Sequence, residues 1–339
     1  MIKSAYESAG VNIDAGQQAV NKIKKHVHAT YTKNVLSNTG SFGGLFSLDA
    51  VEKIKNPVLV ASTDGVGTKV KLAAQYNHFE GIGMDIVNHC IDDILVQGAS
   101  PLFFLNYYAT SKLIPDHLEQ ILKGMSLACI ASNCTILGGE TAEMPGVYCE
   151  HEFDVAGTIV GVVSREKILP RQDISPGDLL IGIASSGPHT NGFSLIRRIF
   201  DGQNIDQYYQ ETDGNLADAL LTPHRNYHTL INPILASGSA IKAMAHITGG
   251  GFYDNIPRIL PDKYGVEINS QSWAIPPLYQ LIEKQGEISR HEMFRVFNMG
   301  VGLILVVSAK DAATVQSQIY EDTWIIGKVV DKSGVCING

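Results

Sequence analysis

The chain has 339 residues, enough for about two domains of ~150 each. Hydrophobic residues make up 45% and charged residues 18%, which supports a sizeable core and excludes global disorder. Acidic residues outnumber basic ones 34 to 26, a net charge of −8, which argues against an electrostatic grip on nucleic acid or an anionic membrane. A small anionic substrate is still compatible, because glycine loops and a bound metal supply local positive potential.

In chain order, residues 1–57 read as a loop-rich or mobile lead-in with a basic stretch at Lys22–His28 and a glycine loop at Asn38–Gly44. Val58–Ser62 predicts a strand ending in a turn at Asp64-Gly65, and residues 84–97 have helical period. Leu102–Ala109 predicts a strand, Pro115 opens a helix to about Ser132, and Thr135–Leu137 and Phe153–Val163 predict strands around a long loop, Gly138–Tyr148. A cluster of Pro170, Ser175, Pro176, Gly177 and Asp178 marks a domain boundary near 165–177. Beyond it come a strand at Leu179–Ala184, a loop at Ser185–Gly192 leading to a helix through Phe200, helices near 226–236, 252–260, 276–285 and 309–320, and strands at 301–308 and 323–330.

The five cysteines, Cys90, Cys129, Cys134, Cys149 and Cys336, are odd in number and include no C-x-x-C pair. That argues against a disulfide framework or a zinc site and fits a reducing compartment. Met1–Gly10 has no apolar signal core, and the longest uncharged run, Ile94–Ser111, is too polar to span a bilayer. A cytoplasmic protein is the expectation. P-loop, kinase, G-x-S-x-G and complete dinucleotide-binding motifs are missing.

Ser62-Thr63-Asp64-Gly65-Val66-Gly67-Thr68-Lys69 is the sharpest local signal. A strand delivering a carboxylate, two glycines, a hydroxyl and a lysine suits a metal–polyphosphate site, although an Asp-Gly turn between strands would read the same. Asp85, Asn88, His89 and Asp92 fall on one helical stripe bordered by Asp93, facing either a ligand or solvent. Glu140, in Gly138-Gly139-Glu140-Thr141-Ala142-Glu143, offers a further hard oxygen ligand or a plain polar loop. His189, in Ser186–Gly192, suits acid/base or phosphate work, though a lone loop histidine usually does neither. His246-Ile247-Thr248-Gly249-Gly250-Gly251 precedes a helix and suits anion binding or a hinge.

Together and in this order, the motifs resemble the phosphoribosylformylglycinamidine cyclo-ligase (AIR synthetase) family of purine biosynthesis. The resemblance rests on Tyr6-Glu7-Ser8-Ala9-Gly10-Val11 with Asp14-Ala15-Gly16, on Ser62–Lys69, Gln97–Leu105, Gly138–Gly146 and His246–Gly251, and covers nearly the whole chain. The wider superfamily includes formylglycinamidine ribonucleotide synthase, selenophosphate synthetase and thiamine monophosphate kinase; the run through Met144–Tyr148 and the aromatic run at 102–108 point to the cyclo-ligase. Asp92, Pro188 and Thr190 around His189, and Thr39 and Ser41, depart mildly from the family pattern. Selenophosphate synthetase is disfavoured because the first cysteine is Cys90, and a mere nucleotide sensor would not need the second polar site around His189 and His246.

The resemblance implies an α/β fold of two domains: 1–168, an N-terminal ATP/Mg²⁺-binding and dimerisation domain, and 169–339, a C-terminal α/β domain. It implies a homodimer whose N-terminal domains pair into a β-barrel, with no nucleic acid or membrane partner. The implied reaction converts formylglycinamidine ribonucleotide and ATP to aminoimidazole ribonucleotide, ADP and phosphate. Asp64, Asp93 and Glu140 would hold Mg²⁺. Gly43, Gly44, Asp64, Gly65, Gly67, Thr68 and Lys69 would hold ATP, with His189, Lys69 and Asp93 in catalysis. Asn191, His246, Thr248, Gly249 and Gly250 would hold the substrate.

Overall fold

A computed structural model describes residues 6, 9–238 and 240–339; Glu7 and Ser8 of the opening motif lie outside the described residues. The chain divides into two compact units. The first comprises the described residues up to Ile94 with Ser100–Arg165, and the second Leu95–Ala99 with Glu166–Gly339.

In the first unit, the lead-in expected to be loop-rich contains a long helix, α1 (Ile13–Ala29). The Asn12 side chain accepts from the Ala15 amide at 3.0 Å, Asp14 sits in the first turn, and His26 and His28 sit in the last, so cap and dipole both favour it. Strand β1 (Pro57–Gly65) is followed by α2 (Lys69–Tyr76) and α3 (Phe79–Leu95). Then β2 (Ser100–Thr110), α4 (Pro115–Ala131) and β3 (Thr135–Glu143) form a parallel crossover unit, and β4 (Phe153–Ser164) closes the sheet. The strand order is β1-β4-β2-β3.

Both glycine-rich strand ends run further than their composition suggests. β1 continues through Asp64-Gly65, opposite Gly157 and Ala156, and β3 carries Gly138–Glu143 as strand. A Cβ at Gly139 would stand 2.3 Å from Asn106 Oδ1, so that glycine serves close strand pairing.

The second unit is built on a six-stranded sheet of order β12-β9-β11-β5-β10-β8. Its strands are β5 (Leu179–Ala184), β8 (Ile241–His246), β9 (Gly265–Asn269), β10 (Val301–Val307), β11 (Thr323–Val330) and β12 (Gly334–Asn338), with β6 (Tyr208–Tyr209) and β7 (Gly214–Asn215) forming a separate small hairpin. Helices α5 (Phe193–Ile199), α6 (Leu216–Leu221), α7 (His228–Ala236), α8 (Gly251–Asn255), α9 (Pro277–Gly286), α10 (Arg290–Val296) and α11 (Ala312–Ser317) complete it. β10 is buried along its whole length between β5 and β8, and Ile181, Ile183, Tyr227, Ile231 and Met244 pack with it in the core. Among the described residues, no helix is long and apolar enough to cross a membrane.

Candidate active site

In the first unit, side chains alternate across β1, so Ser62 and Asp64 face α3 while Thr63 faces the other way. Asp64 Oδ2 lies 2.9 Å from His89 Nε2 on α3, and Asp93 Oδ2, one helical turn on, lies 3.8 Å from the same nitrogen. Ser62 donates to Asp93 Oδ2 at 3.0 Å, and the Gly65 amide donates to Asp64 Oδ1 at 2.7 Å. The imidazole is buried, but the Asp64 and Asp93 side chains are 41% and 28% exposed. Burial alone would lower the His89 pKa; the hydrogen bond with Asp64 and the charges of Asp93, Asp64 and Asp85 outweigh it and raise it. Burial works to raise the Asp64 pKa, and the hydrogen bond and charge of His89 more than reverse this. Two accessible carboxylates converging on one point are hard oxygen donors that fit Mg²⁺.

Two expected site residues are placed elsewhere. The Lys69 ammonium is fully buried and paired with Asp85 at 2.8–2.9 Å, inside the fold rather than towards a phosphate. Burial pushes its pKa down, with Asp85 opposing. The stripe of Asp85, Asn88, His89 and Asp92 is accordingly an internal polar network, with each residue buried. Glu140 does not join Asp64 and Asp93. It lies on β3 opposite Tyr107, in a row that runs through Ala156 to Gly65. That row points to the opposite sheet face from Asp64, and three strand spacings of ~4.8 Å separate its ends by about 14 Å. Glu143 is committed to structure, accepting from the amides of Asn12 at 2.6 Å and Leu113 at 2.8 Å.

Glu140 instead lines a cavity of about 1040 Å³ with α1, the loop carrying Gly43 and Gly44, and Gly138-Gly139. The loop is closed at its base by the Leu36 amide donating to the Leu45 carbonyl at 2.8 Å. It is tied to α1 by the Thr39 hydroxyl, 2.8 Å from His28 Nε2 and 3.1 Å from the Tyr31 hydroxyl. Gly67 is exposed, with φ +71 and open space where a Cβ would stand, so its backbone stays accessible to a ligand, whereas Val66 beside it is buried with its amide donating to the Val155 carbonyl at 3.2 Å.

In the second unit, the loop after β5 carries His189, buried with φ +59; its Nε2 accepts from the Ser186 amide at 3.3 Å. Asn298 organises this loop. Its Oδ1 accepts from Ser185, Tyr279 and the Gly300 amide, and its Nδ2 donates to the Gly187 carbonyl at 2.8 Å. His246 ends β8. Asn255 holds the turn behind it, donating to the Gly251 carbonyl at 2.8 Å and the Gly249 carbonyl at 3.2 Å. A Cβ at Gly249 would lie 3.4 Å from Asn191 Oδ1, so the two predicted loops meet. His224 joins them: its ring stacks on His189 at 4.0 Å, and its Nε2 is 3.0 Å from His246 Nε2. His224, Asn255 and Asn298 escape sequence reading because each sits in a short polar segment with no motif spacing.

Residues 48–163 match the family described as AIR synthase related protein, N-terminal domain, and residues 175–337 its C-terminal domain. The fold agrees with this class. Thiamine-monophosphate kinase from Stenotrophomonas maltophilia superposes with TM-score 0.70 at 17% identity over 95% of this chain and 96% of its own, and HypE of E. coli, a hydrogenase maturation protein, with TM-score 0.67 at 16% over 95% and 93%. The phosphoribosylformylglycinamidine cyclo-ligase of Geobacillus thermodenitrificans is 47% identical over 100% of this chain and 99% of its own length, and that of Alkaliphilus metalliredigens is 47% identical over 97% and 96%. The chain belongs to the phosphoribosylformylglycinamidine cyclo-ligase family.

Proposed function

We propose that this chain closes the imidazole ring of aminoimidazole ribonucleotide from formylglycinamidine ribonucleotide, with ATP converted to ADP and phosphate. The observation that carries the reading is the pair of accessible carboxylates, Asp64 and Asp93, gathered at the end of β1 in a chain alike over its full length to named cyclo-ligases. A HypE structure in complex with ATP, TM-score 0.66 at 16% identity, has the same fold, which is compatible with ATP use here.

Ring closure must expel an amide oxygen, and oxide is a very poor leaving group. Attack of the formyl oxygen on the γ-phosphoryl group releases ADP and makes that oxygen part of a phosphate. A substrate nitrogen then attacks the formyl carbon, phosphate leaves, and a proton is lost from the nitrogen. No protein nucleophile is required; positioning and charge neutralisation carry the catalysis. In this reading Asp64 and Asp93 hold Mg²⁺, which would offset phosphate charge. Gly43, Gly44, Gly65, Gly67 and Thr68 present backbone to ATP. Asn191, His246, Thr248, Gly249 and Gly250 hold the substrate, and His189 moves the proton. The active form is a homodimer, joined through the first unit.

Asp64→Asn keeps the shape and removes the charge. The expected result is at least a ~100-fold fall in ADP release with the fold intact, about 3 kcal/mol in the barrier. Near wild-type turnover at limiting Mg²⁺ would remove Asp64 from the site. The mechanism itself is read with a heavy oxygen in the formyl group: the label is expected in inorganic phosphate, whereas loss of the label to water would overturn the phosphorylated intermediate.

A further inference from the structure

We propose that His189, His224 and His246 form a binding site for one divalent transition-metal ion of the zinc, cobalt and nickel class. The three imidazoles come from separate segments: the loop after β5, the Thr222–Tyr227 stretch before α7, and the end of β8. One nitrogen from each lies within 4.8 Å of the other two, and all three residues are buried, 0%, 1% and 5% exposed. His224 Nε2 and His246 Nε2 are 3.0 Å apart. A tetrahedral ion with nitrogen ligands at ~2.0–2.1 Å holds those nitrogens about 3.3 Å from one another, so one pair already has nearly the required separation. The third ligand nitrogen, from His189, lies within 4.8 Å of both, with its ring stacked 4.0 Å from that of His224.

The ligand set selects the ion. Three imidazoles favour zinc, cobalt or nickel over Mg²⁺, which takes hard oxygen donors such as the Asp64 and Asp93 carboxylates. Three protein ligands leave a fourth position open. The surroundings restrain the ligands: a Cβ at Gly302 would stand 2.6 Å from His189 Cε1 and 2.1 Å from the Tyr227 hydroxyl, which itself donates to the Ala184 carbonyl at 2.9 Å. The cysteine pattern that argues against zinc does not see this site, because its ligands are histidines scattered over 58 positions, from 189 to 246 inclusive. If His189 and His246 serve the substrate as proposed above, an ion here takes their lone pairs and inhibits the enzyme.

The test uses the full chain after chelator treatment, titrated with Co²⁺ and followed by visible ligand-field absorption. The expected result is one Co²⁺ per chain, displaced by Zn²⁺ and not by a large excess of Mg²⁺. His224→Gln is expected to weaken binding at least about tenfold, and His228→Gln, which alters a buried histidine outside the cluster, to leave it unchanged. Binding that survives His224→Gln, or a wild-type chain that takes up no Co²⁺, overturns the proposal. Should His224→Gln fail to fold by circular dichroism, the wild-type spectrum decides: sulfur-to-cobalt charge transfer would place the ion on Cys149 or Cys336 and overturn it, and a spectrum without it supports the histidines. These readouts need no turnover, so they stand apart from the cyclo-ligase reading. Zn²⁺ inhibition of ADP release in wild type, relieved by chelator, tests the link between the two.

Discussion

His228 on α7 is buried, and burial alone pushes its pKa down to about 4. An imidazole in the unfolded chain titrates near ~6.5. On lowering the pH, the unfolded state therefore takes up this proton first. The stability that neutral His228 permits is complete above about 6.5 and drains away as the pH falls towards 4, up to about 3 kcal/mol. His228→Phe is expected to flatten that limb: between pH 7 and pH 5, wild type should lose about 2 kcal/mol more than the variant in urea unfolding. Parallel losses would mean that His228 is solvated. Lys69 gives a second residue-level contrast. Lys69→Ala leaves Asp85 buried and uncompensated and should cost about 3–5 kcal/mol, whereas Lys69→Met with Asp85→Leu should be close to neutral. If that double variant keeps the wild-type KM for ATP, the lysine is confirmed as a core residue. A large rise in KM with stability unchanged would return it to the phosphate site. Spacing in Ser62–Lys69 brings out Asp64 but cannot tell which way Lys69 points, because the helix that begins at Lys69 turns it inwards onto α3.

At the level of elements, α3 and α4 cross where two glycines meet. A Cβ at Gly83 would stand 1.9 Å from the Ile121 carbonyl oxygen, and one at Gly124 would stand 1.9 Å from that of Glu80. In a solvated helix, glycine to alanine gains about 1 kcal/mol in propensity. Here backbone contact wins, and Gly83→Ala is expected to destabilise by about 1–3 kcal/mol net, read from the denaturation midpoint. A stabilised variant would show that the helices stand apart. The apolar period of residues 84–97 and the aromatic run at 102–108 were legible because side-chain pattern follows burial. The ends of β1 and β3 were not, because their glycines mark close strand pairing and carry the composition of a loop. The same limit hid the separation of Glu140 from Asp64: three carboxylates read along a line can lie on opposite faces of one sheet. α1 was obscured by its many polar positions, although its cap at Asn12 and Asp14 was present in the chain.

At the scale of the molecule, the sheet of the first unit has one face against its helices and another that carries apolar side chains towards solvent. Cross-strand register puts Ala61 with Val160 and Phe103, Thr63 with Thr158 and Leu105, and Ala156 with Tyr107 on that outer face. Tyr107 is 39% exposed, and Leu59 on β1 is 63% exposed. Among the described residues, part of this face is covered, as where Phe46 approaches Phe103 with ring centroids 5.3 Å apart. A second copy seated there would bury the row and remove the incentive for nonspecific association. A two-fold axis presents each residue twice, so one substitution acts twice on the interface. Tyr107→Glu would therefore bury two charges, each costing about 2 kcal/mol or more without a partner, and weaken dimerisation by at least ~1000-fold. Tyr320→Glu, at a tyrosine 96% exposed in the second unit, serves as the control and should leave association unchanged. Sedimentation equilibrium is the measurement. Wild type and Tyr320→Glu should run at twice the chain mass and Tyr107→Glu at the chain mass, with the far-ultraviolet spectrum of all three alike. A wild-type monomer that turns over at assay concentration would sink the dimer, and a Tyr107→Glu dimer of wild-type affinity would move the interface off this face.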